Sequence, residues 1–249
     1  MHGLNLKTKA PDLSFLTTSL ARDGDEILEV QRLRYQVCSE EMGAHLSNAD
    51  ESLYCDAHDK YCEHLLMRES DGNNVVGTYR ILSPGRAKKM GGYFSQTEFD
   101  LSRLQSLSDR MVEIGRACVQ LDYRDTESIN LLWGGLAQYM QENNHEYLIG
   151  CESISMADGG HEAASLYRKL CRIYSAPVEY TVFPHRPLPL YALNQYLDVP
   201  IPPLLKGYLR MGAYLCGEPS FDPEFNTANF LILLPMSRMG SRYARRFVK

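Results

Sequence analysis

Met111-Val112-Glu113-Ile114-Gly115-Arg116-Ala117-Cys118-Val119, residues 111–119, is the stretch on which the fold turns. Apolar, partly β-branched residues dominate it, so it reads as a central strand. Glu113 and Arg116 then point to opposite faces. A charge flanked by apolar residues on a strand must be paired, exposed or functional. The strand runs into Asp122-Tyr123-Arg124 and a helix on which Ile129, Trp133, Leu136 and Met140 share one face, with Ser128 or Thr126 as N-cap. Residues 124–128 therefore lead a strand into a helix N-terminus, where free N–H groups and the dipole favour an anion. Such a turn suits a phosphorylated cofactor.

Working outward, Ile27, Val30, Leu33 and Val37 recur at helical spacing from Asp25, with Gly43 as a stop. Residues 1–23 read as loosely ordered and 44–60 as an acidic loop. Tyr61–Met67 and Val75–Leu82 read as two antiparallel strands joined by the hairpin chemistry of Asp71-Gly72-Asn73-Asn74. Residues 83–110 are Gly- and Ser-rich, with a short helix expected at Glu98–Leu104. Downstream, Tyr147–Cys151 reads as a strand, Ala163–Cys171 as a helix and Val178–Phe183 as a strand. Residues 184–225 hold eight of the twelve prolines around a helix at Leu204–Leu215, and Phe230–Leu234 is a closing strand. Strands and helices mixed in one unit predict an α/β layered fold with a mixed sheet.

The chain has 249 residues, enough to bury a core without disulfides or metal. Its formal charge of -5 argues against a protein built to hold nucleic acid. No apolar run approaches the ~20 residues needed to span a bilayer. Residues 1–20 lack a signal-peptide apolar region, so a cytoplasmic chain with reduced cysteines is expected. The seven cysteines form no CxxC. Residues 238–249 hold five basic residues and no acidic one. Taking those five charges away leaves -10 on residues 1–237, an acidic body with a basic tail. Such a tail suits peripheral contact with the anionic inner face of the cell membrane, or with an acidic carrier protein, against the plainer reading of a solvated end.

Residues 111–128 resemble the acyl-donor motif of the GNAT acyltransferases. More closely, the chain resembles the ornithine N-acyltransferases of ornithine-lipid synthesis, which use acyl carrier protein, and more distantly the acyl-homoserine-lactone autoinducer synthases. The resemblance covers most of the chain and runs in order. It takes in Leu33-Arg34-Tyr35-Gln36-Val37, then Asp56 and Asp59 with Cys62-Glu63-His64-Leu65, then Val76-Gly77-Thr78-Tyr79-Arg80-Ile81-Leu82. Glu113-Ile114-Gly115-Arg116 and Asp122-Tyr123-Arg124 follow, and Pro202–Arg210 with Cys216-Gly217-Glu218-Pro219 completes it. It implies a GNAT-like three-layer α/β fold with a mixed, mainly antiparallel sheet. The catalytic core is expected over 1–183. A C-terminal extension is expected over 184–249, with a closing strand near 229–235. The implied reaction moves a 3-hydroxylated fatty acyl group from acyl carrier protein to the α-amine of L-ornithine, giving lyso-ornithine lipid. The donor substrate is the carrier's acyl-phosphopantetheine, and no permanently bound cofactor or metal is implied.

Under that resemblance Glu113 is the general base and Arg116 its catalytic companion, against the plainer reading of a Glu113–Arg116 structural pair. Arg34 and Arg80, like Arg116, suit a carboxylate or phosphate through their planar forks. Asp56 and Asp59 suit a second ammonium, as ornithine carries, against a merely solvated acidic loop. Ile114, Ala117, Val119, Arg124 and Ser128 are the expected acyl-donor contacts. The loop 124–128 carries no glycine and adds two carboxylates, which favours the single phosphate of a carrier protein over coenzyme A. Trp133 is the only tryptophan, which tells against an autoinducer synthase. A non-catalytic acyl-carrier-binding module is the alternative of another class. Cys55, His58, Cys62 and His64 match no common zinc spacing. His45 and Asp50 form an isolated H-x4-D without the other blocks of the glycerolipid acyltransferases. No G-x-S-x-G elbow is present.

Overall fold

A computed structural model describes residues 16–41, 49–50, 52–70 and 74–239. The chain divides into two compact units. The first takes in residues up to 56, 64–79 and 116–135; the second takes in 57–63, 80–115 and residues from 136 onward.

In the first unit, β1 (Leu16–Leu20) lies antiparallel to β4 (Glu63–Glu69), with Leu16 opposite Glu69 and Leu20 opposite Leu65. For residues 16–23 this corrects the expectation of loose structure, and residues 1–15 lie outside the described residues. Leu-Thr-Thr-Ser-Leu has little apolar content of its own, and pairing with β4 makes it a strand. α1 (Gly24–Tyr35) is capped by Asp23, whose side chain accepts the Glu26 N–H at 3.0 Å. Val30, Leu33 and Val37 are buried as the periodicity predicts. The helix then widens into one π-helical stretch, Gln36–Glu41. The expected stop at Gly43 and the His45–Asp50 motif's histidine lie outside the described residues. Within the expected acidic loop, β2 (Ala49–Asp50) and β3 (Leu53–Tyr54) form a two-residue hairpin, and Asp59–Tyr61 makes a helical turn. β5 (Val75–Leu82) neighbours β4, and the Glu69 N–H to Asn74 carbonyl bond closes their connection. Turn residues 71–73 lie outside the described residues.

β7 (Met111–Val119) and α3 (Thr126–Glu142) each start in one unit and end in the other. The α3 cap is Asp125. Its Oδ1 accepts the N–H groups of Glu127 (2.8 Å) and Ser128 (2.7 Å). Thr126 and Ser128 lie inside the helix, one and three residues past the cap position.

In the second unit come α2 (Pro84–Met90) and a 3-10 turn, Phe94–Thr97, and where a helix at Glu98–Leu104 was expected the chain forms a two-residue strand and the start of a second 3-10 stretch, Ser102–Arg110. There β6 (Phe99–Asp100) pairs with β9 (Phe183–Pro184). β8 (Tyr147–Ser155) lies parallel to β7 and antiparallel to β12 (Thr227–Pro235) along all nine residues of each. The far side of β12 takes β10 (Tyr214–Leu215) and β11 (Ser220–Asp222). α4 (His161–Tyr174) and α5 (Pro203–Met211) confirm two expected helices with shifted ends. The strand expected at Val178–Phe183 is instead a 3-10 turn, Val178–Tyr180, followed by the short β9. Val178 and Phe183 are 72% and 51% exposed, so their β-branched and aromatic content buries little there. The core of this unit gathers Leu82, Phe99, Leu104, Met111, Ile149, Leu231 and Leu233. Each such side chain contributes roughly 1.5–3 kcal/mol by leaving water. The sheet is mixed and mainly antiparallel, with helices packed on it, as the GNAT-like expectation requires.

Candidate active site

Glu113 lies on β7 within the three-residue parallel ladder, opposite Ile149 of β8. It is 4% exposed. Its Oε2 accepts the Phe94 N–H at 2.6 Å and its Oε1 the Ser95 N–H at 2.9 Å. The Ser95 hydroxyl donates to Oε1 as well. A carboxylate has about four acceptor positions. Three are filled, and the fourth, on Oε2, has no donor among the described residues. Burial pushes the Glu113 carboxyl up to about 7, against the pull of the Ser95 and Phe94 bonds and of the Arg80 charge. The result is an acid–base group poised at neutral pH.

The surroundings hold it in place. Gly91 ends α2 with φ +101, and the next residues deliver Phe94 and Ser95 to the carboxylate. The Tyr93 hydroxyl donates to the Met111 carbonyl, two residues before Glu113. Arg80, at the end of β5, bonds Asp59 through Nη1 at 3.1 Å, and both are about 6% exposed. The Arg80 guanidinium lies 4.1 Å from the Phe94 ring centroid, and the His58 ring meets Phe94 edge-on at 5.0 Å.

The β7–β8 ladder ends at Glu113 and Ile149, whereas β8 continues to Ser155 paired with β12 alone. From Gly150 onward β8 thus presents an edge with no strand partner among the described residues. At its start, a Cβ on Gly150 would lie 2.8 Å from the Ile114 carbonyl oxygen, so only glycine lets the two backbones approach this closely. Ile114 itself is buried.

The remaining expected residues lie in the first unit. Arg116 has φ +50, a left-handed conformation that breaks the strand alternation. It bonds Asp56 at 3.1 Å and stacks on Tyr54. The pair expected as the plain reading, Glu113 with Arg116, is therefore replaced: each charge has its own partners. Asp56 and Asp59 are both bonded to arginines rather than solvated. Arg34 is 1% exposed and meets His64 Nδ1 at 3.0 Å. Arg34, Arg116 and Arg124 all bear on Cys38. Ala117 is exposed and Val119 partly buried, and the Val119 carbonyl accepts Arg124 Nε at 2.8 Å. Arg124 also bonds Glu41. Ser128 is fully buried, and its N–H, with that of Glu127, is taken by Asp125. The chain's own carboxylate thus occupies part of the anion-favouring helix end. No group of three or more His, Cys, Asp and Glu that could hold a metal occurs among the described residues.

Sequence reasoning missed Phe94 and Ser95, and also the partly buried contact in which Asn229 Nδ2 donates to the Glu98 carboxylate at 2.8 Å. Phe94 acts through its backbone N–H, which leaves no side-chain signature, and Ser95 through its N–H and a hydroxyl that is ordinary in a loop. Asn229, a lone amide in Thr-Ala-Asn-Phe-Leu-Ile-Leu-Leu, was a visible signal.

Residues 33–134 match the model of an acetyltransferase (GNAT) domain. The chain is 33% identical to an L-ornithine N(alpha)-acyltransferase of Brucella abortus (strain 2308), over 94% of this chain and 91% of the relative. It is 34% identical to an L-ornithine N(alpha)-acyltransferase of Agrobacterium fabrum (strain C58), over 92% and 83%. Among solved structures it is similar to the CoA-dependent acyl-homoserine lactone synthase BjaI with MTA. There the TM-score is 0.55 at 14% identity, covering 94% of this chain and 89% of that one.

Proposed function

Since the chain belongs to the L-ornithine N(alpha)-acyltransferase family, we propose that it acylates the α-amine of L-ornithine with a 3-hydroxylated fatty acyl group carried by acyl carrier protein, forming lyso-ornithine lipid. The observation that carries this reading is Glu113, held by three donors with one acceptor position open and its carboxyl pushed up to about 7.

The steps follow from that geometry. The carrier's pantetheine arm lies along the β8 edge beyond Ile149, whose outward N–H and C=O groups suit its amides. The Ile114 N–H, where the ladder opens, polarises the thioester carbonyl. A free amine is mostly protonated at neutral pH, so Glu113 Oε2 takes a proton from the ammonium. The amine nitrogen then attacks the thioester carbon. The C–N bond forms, the C–S bond breaks, and the thiolate leaves on the carrier arm, taking up the proton lost by nitrogen. No covalent enzyme intermediate is needed. The amphiphilic product is released at the inner membrane face, which the basic C-terminal tail approaches.

The test incubates the purified protein with 3-hydroxyacyl carrier protein and L-ornithine and seeks N-acylornithine by mass spectrometry. The expected result is product in the wild type and its loss in Glu113→Gln. Product only with S-adenosylmethionine as amine would overturn this reading in favour of autoinducer synthesis. Tight carrier binding without product from any amino acid would leave a binding module.

A further inference from the structure

Ornithine differs from a neutral amino acid by its side-chain ammonium, and a selective site needs a carboxylate for it. The two aspartates first considered already bond arginines, Asp56 with Arg116 and Asp59 with Arg80. Glu98 is different. It is partly buried, its carboxylate accepts Asn229 Nδ2 at 2.8 Å, and no cation pairs with it among the described residues. Burial raises its pKa above the ordinary value, the Asn229 bond opposes this, and Asp222 adds to the rise. Asn229 is 4% exposed, and its Oδ1 accepts the Thr227 hydroxyl at 3.2 Å, which leaves Nδ2 facing Glu98. The Glu98 backbone is fixed on both sides, its N–H by Ser95 and its carbonyl by the His185 N–H.

Glu98 also shares Glu113's side of the sheet. Glu113 is level with Ile149 on β8, and Cys151 and Ser153 follow on the same face. Ser153 is opposite Asn229 on β12, and Asn229 reaches Glu98. Cys151 Sγ lies 3.7 Å from the Ser95 hydroxyl that holds Glu113. After burial, the charges of Glu98 and Glu113 are the next causes that raise the Cys151 thiol, so this one side chain senses both carboxylates.

We propose that Glu98, oriented by Asn229, binds the side-chain ammonium of the acceptor and so selects a diamino acid over a neutral one of the same length. This rests on the proposed N-acyltransfer, because it places the α-amine at Glu113. An ammonium donating to an amide-tethered carboxylate is a charge-assisted bond.

The test measures kcat and KM with 3-hydroxyacyl carrier protein and either L-ornithine or L-norvaline, which has the same carbon chain without the δ-amine. The wild type should favour ornithine by about 10- to 100-fold in kcat/KM. In Glu98→Gln the KM for ornithine should rise by a similar factor while kcat moves far less. The ornithine-to-norvaline ratio should fall toward one, and Glu98→Asp should recover part of it. A wild type that accepts both equally, or a Glu98→Gln enzyme that keeps the wild-type ratio, overturns the proposal. If Glu98→Gln does not fold, an unchanged ratio in Asn229→Ala, which unties the Glu98 carboxylate, overturns it equally. A wild type that acylates neither amine overturns the proposed reaction instead.

Discussion

At the scale of single residues, burial sets the chemistry. Glu113 ionises only above about 7, so base catalysis by it predicts a kcat/KM that falls about tenfold per pH unit below that value and levels off above it. Glu113→Gln should cost on the order of 10²- to 10⁴-fold and abolish this limb. A limb unchanged in the variant would assign the titration to another group. Glu152 on β8 is likewise pushed up to about 7, by desolvation alone. Its folded pKa exceeds the unfolded one, so its contribution to stability is full below about 4.5 and is lost as pH rises to about 7. Urea unfolding at pH 5 and pH 8 should show the wild type losing up to about 3 kcal/mol relative to Glu152→Gln between the two. Cys38 shows the opposite shift. The hydrogen bond from Cys118 and then the charges of Arg116, Arg34 and Arg124 bring its thiol down to about 7 against burial. Cys118, Cys151, Cys171 and Cys216 are all raised. Iodoacetamide at pH 7.5 should therefore label Cys38 before those four, as peptide mapping would read. Glu113 was legible in the sequence, because a carboxylate in an apolar strand must have a purpose. Its clamp was not, because Gly91-Gly92-Tyr93-Phe94-Ser95 reads as loop and acts through two backbone N–H groups with the Ser95 hydroxyl.

At the scale of elements, the central feature is a ladder that stops. β7 and β8 pair over three residues and no further, although both are nine residues long. Gly150 stands at the end of that ladder. Gly150→Ala would place a methyl group 2.8 Å from the Ile114 carbonyl oxygen and force the strands apart. The expected cost is on the order of 1–3 kcal/mol in urea unfolding, together with a raised KM for the carrier donor. A variant of unchanged stability would mean that β8 can yield there freely. The elements foreseen best were β5 and β7, whose apolar runs are bounded by turn residues. Those foreseen worst were β1 and residues 178–183. There, a neighbouring strand or the lack of one decides the outcome, and composition does not report it.

For the whole molecule, charge is uneven along the sequence. Arg238, at the start of the basic tail, is committed to the body: its Nε donates to the Gly212 carbonyl at 2.8 Å and its guanidinium stacks on Tyr214 at 4.1 Å. Residues 240–249 retain four basic side chains. At about 1 kcal/mol each near anionic lipid, they suffice for reversible docking if they act together. Vesicles containing anionic lipid should pellet the full chain but much less of a chain ending at 239. Equal pelleting would exclude the tail from membrane contact. No helix among the described residues is long and apolar enough to cross a membrane. The sequence by itself determined the α/β class, the central strand with its carboxylate among apolar residues, the motif order that marks the family, and the acidic body with its basic tail. These follow from local periodicity, composition and residue order. Only the tertiary structure decided the partners: Asp56 and Asp59 on arginines, Phe94 and Ser95 on Glu113, and Glu98 with Asn229. Such pairings join residues distant in sequence, and burial, which sets their pKa values, exists only once the chain has packed.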